Sequence, residues 1–218
     1  MTTRARATAP AGLVPATAKG EATRAFLLRT AAQVFAERGY MGTALTDLIA
    51  ASGLTKGAFY FYFQSKAALA LAVLRDQQGR WLQQVSERVL SAGTAVEQFR
   101  ALAPVMLELL GAEPGAWSIT RLTKDLAADP ATADEVSQPM GRWVEFVADI
   151  VRRGQADGDL RPGVDPQHVA VVLVGAFDGL KSLTDVLDPG AQASGAFAQR
   201  ADVLLALIEH GLLVDPAS

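Results

Sequence analysis

Cysteine is absent from the 218 residues, which excludes disulfide crosslinks, thiolate nucleophiles and cysteine-bound metals together. Histidine is almost absent. His168 and His210 stand forty-two residues apart, each in an apolar helical stretch, so they suit neither a metal pair nor a catalytic base. No apolar run approaches the roughly 20 residues that a membrane span needs, and the N-terminus has no apolar signal core, so a cytoplasmic protein without a membrane partner is expected. A glycine-rich phosphate loop, a nucleophile elbow and paired catalytic carboxylates are missing as well. Asp157, Asp159 and Asp165 share a turn with Gly158 and Gly163, but their spacing does not fit a calcium loop and a solvated turn accounts for them. The expectation is a protein that is not an enzyme, binds no metal and needs no cofactor.

Alternating strand patterns are also lacking. Half of the residues are apolar, ample for a core, and the periodicity is helical throughout. Turn residues divide it into about nine helices, an all-α chain, near 24–40, 46–53, 55–63, 65–90, 94–110, 116–127, 139–155, 166–187 and 195–213. Pro104 falls inside one of them. Residues 1–20, rich in Ala, Thr, Pro and Gly, have no helical period and are expected to be a disordered arm; Arg4 and Arg6 suit a minor groove, while an unstructured tail of no specific role is the plainer reading and is preferred. A head over 21–66 and a larger helical domain over 67–218 complete the division.

The net charge of −3 speaks against a polyanion as partner, but its distribution reverses that inference. Residues 1–66 hold eight Lys or Arg against three Asp or Glu, and the remainder twelve against twenty. The positive field lies at one end, as expected if that end meets phosphates.

Within that end stands TALTDLIAASGLTKGAFYFYFQSK, from Thr43 to Lys66. Thr46 is placed to cap a short helix, Gly53 to end it in the left-handed conformation, and Thr55 to cap a second helix. Small or cationic residues then fall at the helix start, where a recognition helix meets base edges, and aromatics follow. Phe59 and Phe63, four apart, share one face and read as core, leaving Tyr60 and Tyr62 to offer hydroxyls to phosphate oxygens. Ser65 caps the next helix and leaves Lys66 in its first turn, a position where a bound phosphate would offset an unfavourable dipole. The arrangement is that of a helix-turn-helix.

These residues resemble the DNA-binding domain of the TetR (tetracycline-repressor-like) family of transcriptional regulators over 24–75. The resemblance is carried by RAFLLRTAAQVFAERGY, by DLIAASG, and by T-x-G-x-F-Y-x-Y-F-x-S-K spelled out from Thr55 to Lys66. It implies an all-α fold with a three-helix N-terminal head and a C-terminal ligand-binding and dimerisation domain. It also implies contacts to double-stranded operator DNA by Thr55, Lys56, Gly57, Tyr60, Tyr62 and Lys66, with Thr43 on a flanking phosphate. Phe61 stands where many members carry a second tyrosine.

The resemblance further implies a homodimer through the last two helices. There Gly175, Ala176 and Gly179 permit close approach, and Leu204, Leu205, Leu207, Ile208 and Leu212 supply apolar surface, although monomer core would use the same residues. The middle helices are then implied to enclose a ligand cavity, with Met106, Trp117, Leu122, Trp143, Phe146, Val147 and Phe177 as its candidate lining; each also serves as plain core. The RLTKD segment at Arg121, the segment from Pro139 to Trp143, and VDPQHVAVVLVGAFDGL are similar to the gamma-butyrolactone autoregulator receptors, which implies a small amphipathic effector of that type. Two function classes follow: a ligand-responsive repressor that releases its palindromic operator when the effector binds, and a helical small-molecule-binding or adaptor protein without DNA recognition.

Overall fold

A computed structural model describes residues 17–112, 118–189 and 192–214. Those residues form nine helices and no strand, with a single isolated bridge between Leu160 and Leu213. The helices are α1 (Ala18–Arg38), α2 (Leu45–Ser52), α3 (Lys56–Tyr62), α4 (Lys66–Leu90), α5 (Ala95–Ala112), α6 (Ser118–Ala128), α7 (Ala133–Ala156), α8 (Pro166–Leu187) and α9 (Gln192–Leu212). Among the described residues no single helix is long and apolar enough to cross a membrane.

Among the helix starts that differ from the sequence expectation, those of α1, α2 and α7 have an identifiable local reason. α1 begins at Ala18, inside the expected arm, because the Thr17 hydroxyl accepts from the Gly20 N–H at 3.2 Å and caps it there; residues 1–16 lie outside the described residues. α2 begins at Leu45, so Thr46 lies inside it, and the cap is made by the Asp47 carboxylate accepting from the Ala44 N–H at 2.9 Å. α7 begins at Ala133, six residues before Pro139. The buried positions 136, 139, 143, 147 and 150 keep helical spacing straight through the proline, whose missing N–H forfeits only one hydrogen bond.

The chain divides into two compact units that are not consecutive in sequence. The first takes residues 1–76 and 121–136, and the second takes 77–120 and 137–218. The head therefore reaches ten residues further along α4 than the expected boundary at 66, and it recruits α6. In the first unit α1 packs on α2, and the deepest side chains are Leu27, Leu48, Phe59, Leu69, Leu74 and Leu126. Arg75 and Glu135 form an ion pair within it. In the second unit α9 packs on α8 and α5 around a core that includes Val85, Phe99, Val147, Ile150, Leu160 and Phe197.

A candidate nucleic-acid interface and an apolar cavity

The turn between α2 and α3 owes its geometry to Gly53, whose φ of 65° is left-handed and ends α2 after two turns. The Thr55 hydroxyl then accepts from the Ala58 N–H at 3.2 Å and starts α3. Phe59 and Phe63 are buried at 0% and 4% exposure, which fixes the rotation of α3. Lys56, Gly57, Tyr60 and Phe61 are thereby turned outward, Tyr60 40% and Phe61 56% exposed, and Tyr62 is half-buried with Phe61 edge-on to it at 5.1 Å. Phe61, which stands where the resemblance places a second tyrosine, is thus itself outward. Gly57 has a helical φ and a Cβ added there meets nothing within 4 Å, so neither the turn nor this chain's own packing requires glycine at that position.

Two of the proposed DNA contacts face inward. Thr43 is buried at 2% exposure and its hydroxyl donates to the Gly39 carbonyl at 2.7 Å, which leaves it no reach to a phosphate. Lys66 Nζ donates to the carbonyls of Tyr40 and Thr43, both at 3.0 Å, and lies 4.2 Å from the Tyr40 ring centroid. Its charge is thus held by carbonyls of the loop between α1 and α2 and by the face of the Tyr40 ring. Ser65 does cap α4, accepting from the Ala68 N–H at 3.0 Å.

Tyr40 is the centre of that corner. Its N–H donates to Asp125 at 3.2 Å and its hydroxyl to Asp129 at 3.0 Å, tying the end of α1 to α6. Burial, with the hydrogen bond and charge of Asp129 adding to it, pushes the phenol up to about 12. Gly39, at φ 72°, also gives room to Arg121: a Cβ there would stand 2.6 Å from the guanidinium.

In the second unit an apolar cavity of about 40 Å³ lies among four helices. α5 lines it with Phe99, Leu102, Ala103 and Met106, and α7 with Trp143 and Val147. Leu173, Val174 and Phe177 come from α8, and Ala201, Leu204, Leu205 and Ile208 from α9. Of the seven expected lining residues, Met106, Trp143, Val147 and Phe177 are brought together there. Phe146 is not on the wall; it stacks against Trp143 at 5.7 Å. Leu122 is buried in the first unit, because α6 belongs with the head. Trp117 lies outside the described residues. The lining from Phe99, Leu102 and Ala103 of α5, Leu173 and Val174 of α8 and the α9 residues is not legible in the sequence, because an aliphatic stripe on an amphipathic helix looks the same over a cavity as over solid core.

The α9 surface differs correspondingly. Leu204, Leu205 and Ile208 face the cavity and Leu212 is buried, so the outward apolar residues of α9 are Val203 at 61% and Leu207 at 69%. On α8, Val172, Gly175, Gly179, Leu183 and Val186 form one exposed stripe at helical spacing. Added Cβ atoms at Gly175 and Gly179 meet nothing within 4 Å.

The profile described as bacterial regulatory proteins, tetR family, matches residues 27–73, and that described as the tetracyclin repressor-like C-terminal domain matches 126–200. Over 188 residues the chain is 25% identical to the A-factor receptor protein of Streptomyces griseus, a match covering 84% of this chain and 63% of that receptor. It is 27% identical to the HTH-type transcriptional repressor DhaR of Mycobacterium sp. (strain GP1), covering 72% of this chain and 79% of that one. The crystal structure of full-length native TylP, a TetR regulator from Streptomyces fradiae, superimposes with a TM-score of 0.67 at 29% identity, covering 91% of this chain and 90% of that one. A further structure, described as the molecular basis for control of antibiotic production by bacterial hormones, gives a TM-score of 0.72 at 30% identity over 88% of this chain and 98% of that one.

Proposed function

Since the chain belongs to the tetR family of bacterial regulatory proteins, we propose that it is a repressor that binds a palindromic DNA operator as a homodimer and releases it when a small amphipathic molecule enters the cavity. The observation that carries the DNA half is the outward face of α3. Lys56, Gly57 and Tyr60 are exposed side by side, and Gly57 has no structural need to be glycine within this chain. A glycine in a helix costs up to about 1 kcal/mol relative to alanine. A duplex pressed against the helix supplies the reason to keep it, since backbone then approaches base edges closely. Thr55, Tyr60, Tyr62 and Lys56 serve as the phosphate and base contacts, while Thr43 and Lys66 hold the α1–α4 corner that presents them.

The apolar stripe on α8 with Val203 and Leu207 of α9 is the dimer face in this reading. A row of exposed valines and leucines interrupted by two glycines matches a helix crossing between two copies. Two heads related by a two-fold axis then read two half-sites. The effector reading draws on the wholly apolar lining of the cavity and on the similarity to the A-factor receptor, from which a gamma-butyrolactone-like molecule is taken as the class of effector.

Fluorescence anisotropy with duplexes from the promoter of the protein's own gene tests this. The parent chain should bind one duplex with a two-fold sequence, and Lys56→Ala should weaken binding by about 1–3 kcal/mol with its helical signal unchanged. Equal binding by parent and Lys56→Ala, or salt-insensitive binding, would leave only the ligand-binding or adaptor role.

A further inference from the structure

We infer that the indole N–H of Trp81 is the polar anchor for the cavity's ligand, a neutral molecule that pairs an apolar tail with a hydrogen-bond acceptor such as an ester or ketone carbonyl. The inference rests on reading the cavity as the effector site, and adds to it the residue and the functional group that make the polar contact.

Trp81 Nε1 is buried and meets no hydrogen-bond partner among the described residues. Such a donor is uncommon in a folded core, where buried indole N–H groups find an acceptor. Its position gives it a use. The Trp81 ring stands edge-on to Trp143, centroids 4.7 Å apart and planes at 69°, and Trp143 is a wall of the cavity. An unused donor therefore lies one ring beyond the apolar space.

The lining restricts what that donor can receive. Phe99, Leu102, Val147, Phe177 and Ile208 are hydrocarbon and Met106 is a thioether. Among the described residues no cationic side chain is on the wall to neutralise a carboxylate, and no carboxylate or amide side chain is there to accept from an ammonium or a hydroxyl. A charged or donor-rich ligand would be desolvated without compensation. A neutral acceptor completes the site.

Size supplies the mechanism of entry. A cavity of about 40 Å³ is well below the roughly 300 Å³ at which small-molecule pockets begin, so a ligand must displace a side chain to enter. Trp143 is the ring whose shift opens the space toward Trp81, and Met106 on the facing helix adapts its shape readily. Trp81 is carried by α4, whose residues 66–76 belong to the first unit and whose remainder belongs to the second. A hydrogen bond to Trp81 thus acts on a helix that runs from the first unit into the second, as α7 also does.

The test uses the full chain, the variant Trp81→Phe, which keeps a ring against Trp143 and deletes the donor, and two probes of matched shape. One is γ-octalactone, a lactone ring with a butyl tail, and the other is butylcyclopentane, which has no oxygen. Binding is followed by calorimetry and by the indole N–H resonances in proton–nitrogen spectra. The chain has three tryptophans, so Trp117→Phe and Trp143→Phe assign the Trp81 signal by difference even if Trp81→Phe does not fold. The lactone should move the Trp81 indole proton downfield, and Trp81→Phe should weaken lactone binding roughly tenfold without changing affinity for the hydrocarbon. An unmoved Trp81 proton in lactone-bound parent, or an equal loss for both probes, overturns the anchor and leaves the cavity reading intact. Failure of the parent to bind either probe overturns the cavity reading and the anchor with it.

Discussion

Replacing Gly57 by alanine separates what the protein's own stability asks of α3 from what a duplex asks of it. Gly57 is the second residue of a seven-residue helix, has an ordinary helical φ, and faces open space where a Cβ would go. Alanine there gains backbone rigidity without a clash. In a helix interior the gain is about 1 kcal/mol, and near the end of a short helix about half of that. For a chain of this length it corresponds to a rise of about 1–2 °C in melting temperature. Operator affinity should move the other way, because the added methyl stands between the helix backbone and the base edges; a loss of about 1–3 kcal/mol is of the size a disrupted base contact costs. Thermal denaturation by circular dichroism and anisotropy with the operator duplex, on the same preparations, measure both. If Gly57→Ala binds the duplex as tightly as the parent, α3 does not meet bases at that position. If the melting temperature falls, the open space beside Gly57 is misjudged.

Two other outcomes follow from features away from α3. The Tyr40 phenol is held at about 12 against its ordinary 10.0, so the unfolded chain loses that proton first. The stabilisation is complete below pH 10 and is lost as pH rises through about 12. Urea denaturation across that range should show a shallower decline for Tyr40→Phe, which at neutral pH is less stable by about 1–2 kcal/mol; parallel curves refute the assignment. Gly179→Leu meets open space within its own chain, so the monomer should fold with equal or greater stability while the dimer weakens by about 1–3 kcal/mol, as read by sedimentation. A variant as dimeric as the parent moves the interface elsewhere.

The helix-turn-helix was legible because its signals are local. Gly53, Thr55, Phe59 and Phe63 act within a few residues of themselves, and each does in the structure what its chemistry suggested. Thr43 and Lys66 have residue types that suit phosphate, yet their partners are carbonyls of the C-cap and loop that follow α1, brought near by the turn at Tyr40. Leu122 and Leu126 make an apolar stripe on α6, but a stripe does not name the surface it covers, so α6 was placed with the cavity and not with the head. Pro139 was given a helix start because proline favours one, whereas the apolar spacing of α7 overrides it. The Trp81 donor was invisible in principle. Among the described residues it has no acceptor, a property set by the tertiary neighbourhood and not by residue type.

The attachment of α6 to the head bears on how this protein can be recombined with its relatives. A chimera cut within α4 would transplant the helix-turn-helix but leave residues 121–136 behind, so the buried Tyr40 hydroxyl and N–H would meet whatever the host offers in place of Asp129 and Asp125. Each unsatisfied group costs about 1–3 kcal/mol, a large part of the stability of a small domain. A transferable reading head is therefore a two-piece graft, residues 17–76 together with 121–136, and exchanges of DNA specificity that move only the first piece select for hosts whose own α6 already carries acidic residues at those two places.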